Sequence, residues 1–431
     1  MAKPASGSHR LTELAGGVRV ITEQVPSVRS VAVGMWIANG SADEDDERAG
    51  ISHLLEHMLF RGTPSLTSRE IDETFDAMGA EINAATDKET TLLYSRVVDS
   101  HVERAFTVLA EMLATPAFED LATERQVVLE EIAMYEDDAQ DRVFELLSET
   151  LYGDGPLGRP VIGRAATVAA IDEQRLRAFH DERYTARRVV VAAAGALEHE
   201  QIVALAERHL ATLAPGPDGA GEPAAGELAP TTTAFFEKET EQCHMCVGGA
   251  GLARSDERRF ALRVLEAILG GTSSSRLFQE IRERAGLAYS VFTFSNLHAR
   301  VGDVGIYLGT RPDNVPRALE LLRAELARLA GDGVTVEELN RAKENLKGRV
   351  ALSQESVSAH MNRIGSALLL DLPVLTLEET IARIERVTHT GVCELGAELY
   401  APERLTVVGV GPDSAEFEAA VRPAAAAGGG R

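Results

Sequence analysis

The chain has 431 residues, 45% of them hydrophobic and 26% charged, with a formal net charge of −24. That is too long for one ordinary core and suits two domains of about 200 residues each. The acidic balance disfavours nucleic acid, whose phosphates call for clustered Lys and Arg, and favours attraction of basic peptides, with salt then raising the Michaelis constant for cationic ones.

No stretch approaches the roughly 20 apolar residues that span a bilayer, so no membrane partner is expected. The N-terminus, Met1-Ala-Lys-Pro-Ala-Ser-Gly-Ser-His-Arg10, lacks the apolar centre of a secretory signal and the length of a transit peptide. Three cysteines, Cys243, Cys246 and Cys393, cannot make a disulfide framework, which agrees with a reducing compartment. The expected location is the cytoplasm.

Residues 17–22 and 30–37 are strand-like, and the acidic run Asn39–Glu47 then reads as a solvated loop. It leads into Gly50-Ile-Ser-His-Leu-Leu-Glu-His-Met-Leu-Phe60. Wound at about 100° per residue, this stretch puts His53, Glu56 and His57 within roughly a third of the circumference, with Leu54, Leu55, Met58 and Leu59 on the other side. Two imidazoles one turn apart can grip one Zn2+, and a carboxylate beside the second can take a proton from water held there. His-x-x-Glu-His is the inverzincin order. Alone the pattern is weak, because chance His pairs on helices are common and mostly solvated.

Thr67 to Met78 reads as a helix capped by Thr67 or Ser68 and ended by Gly79. Residues 80–86 and 89–97 make a hairpin about Asp87-Lys88, and helices follow at His101–Leu113 and from Glu119 through about Thr150. In the last of these Leu121, Val128, Ile132 and Tyr135 form the buried face, Glu124 and Glu131 share one edge of it, and Glu130 points away. An acid bordering an apolar face is costly unless something cationic meets it. Glu131 is therefore the expected third ligand and Glu124 its supporting partner; the plain alternative is a solvated edge bearing ordinary acids.

Tyr152–Pro160 is a Gly/Pro-rich loop, followed by a helix at Asp172–Tyr184, a strand at Arg188–Ala194 and a helix at Glu198–Leu213. His101, His180, His199 and His209 lack partner spacing and read as surface or structural residues. Pro215–Pro230 has linker composition, giving an expected division into 1–214, a linker at 215–230, and 231–431, with a disordered tail at 424–431. Cys243-His-Met-Cys246 has metal-like spacing but lies in a strand-like run, where residues three apart face opposite sides, so it reads as core packing.

The second half copies the first. Val264–Thr272 lies over Leu54–Thr63 with Glu266 on Glu56 and Leu269 on Leu59; further on, Ser275-Arg276 and Gly286 lie over Ser68-Arg69 and Gly79. In this overlay Arg263 replaces His53 and Ala267 replaces His57, so the copy keeps the fold and has lost the metal. Strand-like Val304–Gly309, helices from Pro312, Thr335 and Ser353, and a last strand within Ala401–Gly411 complete the chain. Hairpins rather than strict strand–helix alternation argue for the α+β class.

His53-x-x-Glu56-His57, followed after about seventy residues by Glu124 and Val-Leu-Glu-Glu131, resembles the pitrilysin and mitochondrial-processing-peptidase family of zinc metallopeptidases, over a span from about Gly17 to Gly411. The resemblance implies two homologous α+β domains, each a mixed, mostly antiparallel sheet covered by helices on one side, facing each other across the substrate. It implies one Zn2+ per chain on His53, His57 and Glu131, with Glu56 as the base that later returns a proton to the leaving amine and Glu124 supporting the site. It places Asn83 and Ala84 on an edge strand that pairs with an extended substrate. It also matches Arg282 and Tyr289, in Ile281-Arg-Glu-Arg-Ala-Gly-Leu-Ala-Tyr289, to residues that reach substrate near the metal, where Arg can hold a carbonyl or carboxylate and Tyr the developing oxyanion. Without the resemblance, Asn83 is a turn-flanking polar residue, Arg282 a helix-surface residue and Tyr289 a strand residue.

The expected function is zinc-dependent hydrolysis of internal bonds in short or unfolded peptides, in a homodimer or in a heterodimer with an inactive homologue. The alternatives are a non-catalytic or regulatory subunit and a peptide-binding protein that uses the chamber without chemistry. Inactive relatives have altered ligands, whereas all four side chains are present here.

Overall fold

The computed structural model describes residues 9–217, 228–229 and 231–422. Most of the expected linker, the tail at 424–431 and most of the Met1–Arg10 stretch lie outside them.

Among the described residues the strands form two sheets. The first contains β1 (His9–Glu13), β2 (Arg19–Gln24), β3 (Ser30–Ile37), β4 (Glu81–Thr86), β5 (Thr91–Val98) and β6 (Val189–Gly195), in the order β1-β2-β6-β3-β5-β4. The second contains β7 (Thr233–Glu237), β8 (Cys243–Ala250), β9 (Ala288–Leu297), β10 (Gly302–Thr310) and β11 (Thr406–Gly411), in the order β7-β11-β8-β10-β9. The pairs β2·β6 and β7·β11 are parallel and the other pairs antiparallel. With β1 set aside, both sheets are wound in one sequence of strands: first, fifth, second, fourth, third. The internal repeat is therefore topological, and the α+β class with mixed sheets is what the molecule has.

Sequence periodicity follows burial. In β5 buried positions alternate with more exposed ones, the period-two signature of a strand buried on one face. The run Val189-Val-Val-Ala-Ala-Ala-Gly195 has no alternation because all seven residues of β6 are buried. Cys243 and Cys246 of β8 are 3% and 0% exposed, and burial pushes the Cys243 thiol up to about 12, as core packing requires.

The helices include α1 (Ile51–Met58), α2 (Ser68–Met78), α3 (Val102–Ala114), α4 (Leu121–Asp137) and α5 (Ala139–Tyr152). The single helix expected from Glu119 to about Thr150 is thus two. Asp138 leaves helical geometry and its side chain accepts from the backbone N–H groups of Gln140 and Asp141, capping α5 and separating it from α4.

Two compact units result, and they exchange segments. One gathers the described residues of 1–132, 160–224 and 350–380; the other gathers those of 133–159, 225–349 and 381–431. These units do not follow the expected split into 1–214 and 231–431. Helix α5, encoded in the first half, packs on β8 and β11, whereas the helix Val357–Leu369, encoded in the second half, packs on β6, β3 and β2. An amphipathic stripe announces that a helix will pack but not on which sheet.

In the first unit Val357, Met361, Ile364 and Leu369 bury against Ile21, Ala32, Trp36, Val190, Ala192 and Ala194. Each buried Val, Leu, Ile or Met among them contributes roughly 1.5–3 kcal/mol. Close approach depends on Gly365, where an added Cβ would stand 2.3 Å from Trp36 Nε1. The intervening Val31, Val33, Met35 and Ile37 of β3 are also buried, and α3 packs on β3 and β5, so this sheet carries helices on both faces. A buried acid pins each exchanged helix. Glu23 of β2 meets His360, at 3.0 Å, and Arg363, while Asp303 of β10 accepts from the Tyr152 hydroxyl at 2.9 Å. Among the described residues no helix is long and apolar enough to cross a membrane.

Candidate metal centre

Helix α1 is fixed at its start by two devices. Gly50 has φ +94°, and a Cβ there would meet the Ile162 carbonyl oxygen at 2.7 Å, so only glycine fits the turn. The buried Glu44 carboxylate then accepts from the N–H groups of Gly50 (2.8 Å) and Ser52 (2.7 Å), at the end of the helix that favours negative charge. Ile51, Leu54, Leu55, Met58 and Leu59 are fully buried. Anchored this way, the other side of the helix presents His53, Glu56 and His57.

Helix α4 supplies the rest. Of the expected buried face Val128 and Ile132 are buried while Leu121 and Tyr135 are only half-buried; Glu124 is buried beside them and Glu130 is exposed. Glu131 Oε2 lies 3.9 Å from His53 Nε2 and 3.5 Å from His57 Nε2, and the two imidazole centroids are 4.7 Å apart. One donor atom from each of the three residues can be chosen with all within 4.8 Å of one another. Donors around a tetrahedral ion with bonds of about 2.1 Å stand about 3.4 Å apart, so two nitrogens and one carboxylate oxygen fit a small divalent cation such as zinc.

Protonation suits that task. Burial, with the neighbouring His57, pushes the His53 imidazole down to about 4, leaving it uncharged and able to offer a lone pair at neutral pH. His57 Nδ1 donates to Glu124 Oε1 at 2.8 Å, which fixes its tautomer and leaves Nε2 as the donor facing Glu131. Burial pushes the Glu56 carboxyl upward, against smaller opposing effects of Thr86 and His57, and its Oε2 is buried with no hydrogen-bond partner among the described residues.

The fold thus brings His53, Glu56, His57, Glu124 and Glu131 together. Asn83, exposed, and Ala84, buried, lie on β4, one of the two edge strands of its sheet, against which α1 packs. Arg282 and Tyr289 belong to the second unit, where the Arg282 guanidinium lies 4.6 Å from the ring centroids of both Phe278 and Tyr289, and Tyr289 is 75% exposed.

Two neighbours escaped the sequence reading. Arg61, one turn past His57, makes an ion pair with Glu124 Oε2. Tyr184, 2% exposed, lies near enough to Glu56 for that charge to add to the upward push of burial on its phenol. The signal for Tyr184 was the repeat: Tyr184-x-x-x-Arg188 before β6 matches Tyr400-x-x-x-Arg404 before β11.

The second unit carries the copy. On the helix Arg259–Leu269, burial pushes Glu266 upward with Ser295 and Arg263 opposing, and Tyr400 is fully buried within reach of its charge, as Tyr184 is of Glu56. On the helix Val336–Ser353, Glu338 and Asn345 repeat the spacing of Glu124 and Glu131. Arg276 takes both oxygens of Glu338, each at 2.7 Å, and holds that carboxyl down to about 2 against the cost of burial.

Residues 19–165 match the family profile described as insulinase (peptidase family M16), and residues 170–346 match the one described as the peptidase M16 inactive domain. A protein of Streptomyces coelicolor called an uncharacterized zinc protease is 40% identical over 416 residues, covering 94% of this chain and 90% of that one. One of Bacillus subtilis with the same description is 40% identical over 392 residues, covering 90% and 94%. Two solved structures share the fold with a TM-score of 0.88. One is a peptidase M16 inactive domain from Pseudomonas fluorescens, at 24% identity covering 94% of this chain and 98% of that chain. The other is a protease from Helicobacter pylori, at 20% identity covering 94% and 100%. The chain belongs to peptidase family M16, the insulinase and pitrilysin family, as a two-domain member of the bacterial type.

Proposed function

We propose that this chain is a zinc-dependent endopeptidase acting on short or unfolded peptides. The observation that carries the reading is the convergence of His53, His57 and Glu131 beside a buried Glu56 oxygen with no partner among the described residues. Two nitrogens and one carboxylate oxygen favour zinc and leave room for a further ligand. Bound there, the cation supplies Lewis acidity toward water and the scissile carbonyl.

The protein's own groups do the rest. Glu56, its carboxyl pushed toward neutral pH by burial, accepts the proton of the attacking water at Oε2 and returns it to the leaving amine. Glu124 holds the His57 ring at Nδ1. The position of β4 at the sheet edge supports binding of substrate as an added strand along Asn83 and Ala84, inside a chamber closed by the second domain. From that domain Tyr289 donates to the developing oxyanion and Arg282 holds a carbonyl or carboxylate. The active species in this reading is a homodimer, or a heterodimer with an inactive homologue, working in the cytoplasm.

Metal analysis and a quenched-peptide assay on the purified chain test it. About one zinc per chain and chelator-sensitive cleavage at internal bonds, mapped by mass spectrometry, are expected. Peptides bound equally well with and without chelator and never cleaved would instead identify a binding protein.

A further inference from the structure

Glu124 is 5% exposed, and a carboxylate so buried is costly unless a cation meets it. Its two oxygens are divided. Oε1 accepts from His57 Nδ1 at 2.8 Å, and Oε2 pairs with the Arg61 guanidinium. The permanently charged group that meets this carboxylate is the Arg61 guanidinium.

The backbone of Arg61 is tied to the beginning of α4. Its carbonyl accepts from Glu119 N–H at 3.2 Å, the next carbonyl, of Gly62, accepts from Ala117 N–H at 2.9 Å, and Arg61 N–H donates to Met58 at 3.1 Å. The same loop holds Phe118 and Asp120 at φ +60° and +56°, a left-handed conformation that costs non-glycine residues on the order of 1 kcal/mol or more each. The strained loop therefore fixes residue 61 relative to residue 124 through the main chain, and the ion pair fixes it again through the side chains.

We propose that Arg61 is a positioning residue for the metal centre: its ion pair with Glu124 Oε2 aims the carboxylate at His57 Nδ1 and thereby sets the affinity of the site for its divalent cation. This rests on the reading above that the site holds zinc. The second unit supplies the contrast. There Arg276 takes both oxygens of Glu338, and Ala267 stands where His57 would need one of them. In the first unit the guanidinium meets one oxygen while the other serves the ligand.

The test is zinc affinity, measured by chelator competition on the full chain. Arg61→Met is expected to weaken binding about 10–100-fold, the usual range for loss of a group that orients a metal ligand, while Arg61→Lys recovers most of that loss. In a Glu124→Gln background Arg61→Met should weaken binding no further. Arg276→Met, made in parallel, should lower the melting temperature and leave zinc affinity within about twofold. Should Arg61→Met fail to fold, Arg61→Gln carries the comparison. Wild-type affinity in the Arg61 variants, an equal loss in Arg276→Met, or a full further loss in the Glu124→Gln background overturns the proposal. A wild-type chain that binds no zinc overturns the zinc reading and this proposal with it, whereas tight wild-type binding with unaffected Arg61 variants overturns this proposal alone.

Discussion

In the first unit α1 presents His53, Glu56 and His57 toward Glu131 and Glu124 of α4. In the second unit the helix Arg259–Leu269 carries Arg263, Glu266 and Ala267 at the matching positions, and Asn345 and Glu338 stand on the helix Val336–Ser353. Both units keep a Glu whose carboxyl burial pushes upward, a hydroxyl residue working against that push, and a fully buried Tyr nearby. Both keep the acid two turns before the third ligand position and give it a guanidinium partner. What differs is the donor set: two imidazoles and a carboxylate against a guanidinium, a methyl group and an amide. A half-buried Glu pushed upward on this helix therefore belongs to the fold, and the proposed chemistry rests on the candidate metal donors beside it.

The comparison breaks most plainly at the paired acids. Glu56→Gln should lower turnover by about 10²–10⁴-fold with zinc retained, and Glu266→Gln should change it by less than about twofold, in a quenched-peptide assay with metal analysis alongside. Equal losses would erase the distinction between the repeats. Next in size is Tyr289→Phe, expected to reduce kcat by about 10²–10³-fold at unchanged zinc content, the effect of removing one oxyanion donor; an unchanged kcat would confine that side chain to the surface of its own unit.

A gain of function sharpens the contrast. Combining Arg263→His, Ala267→His and Asn345→Glu restores the donor set with Glu338 already in place, and mass spectrometry of the native protein should then count two zinc ions per chain instead of one. A count that stays at one means the copy has lost backbone geometry as well as ligands.

The smallest effect concerns the exchanged helices. Burial raises the Glu23 carboxyl, but the His360 hydrogen bond and the Arg363 charge outweigh it and leave the group below its ordinary 4.5; the hydrogen bond to Glu23 in turn raises His360 above 6.5. The Glu23 contribution to stability is present above pH 4.5 and is lost as pH falls through the lowered folded value, and the His360 contribution is present below pH 6.5 and is lost as pH rises through the raised folded value. Thermal melts should show the first unit weakening on both sides of that window by a few degrees, with the alkaline loss absent in His360→Gln. The Tyr152–Asp303 pin of the second unit uses a phenol whose pKa burial raises, so it should be insensitive over the same alkaline range. An alkaline loss that persists in His360→Gln would assign it to other groups.

The candidate metal donors were legible because the apolar side of each helix leaves them off it: Leu54, Leu55 and Met58 set the orientation of α1, and Val128 and Ile132 set that of α4 even though Val127 and Met134 of the same helix are exposed. The break at Asp138 was hidden because α4 and α5 continue one apolar pattern across a single capping residue. The exchange of α5 and of Val357–Leu369 between units was invisible because amphipathicity carries no address. Arg61 lies just past the last turn of α1, where a helical wheel no longer applies, and its partner is 63 residues away. Arg282 and Tyr289 had only the family resemblance to mark them, since an exposed Tyr and an Arg stacked on it are ordinary surface chemistry.

The most direct measurement is anomalous diffraction at the zinc edge from crystals of the Glu56→Gln chain loaded with zinc. One peak about 2.0–2.2 Å from a His53 nitrogen, from His57 Nε2 and from a Glu131 oxygen is the predicted result. A peak away from α1, or one that leaves Glu131 more than about 4 Å from the ion, would contradict it.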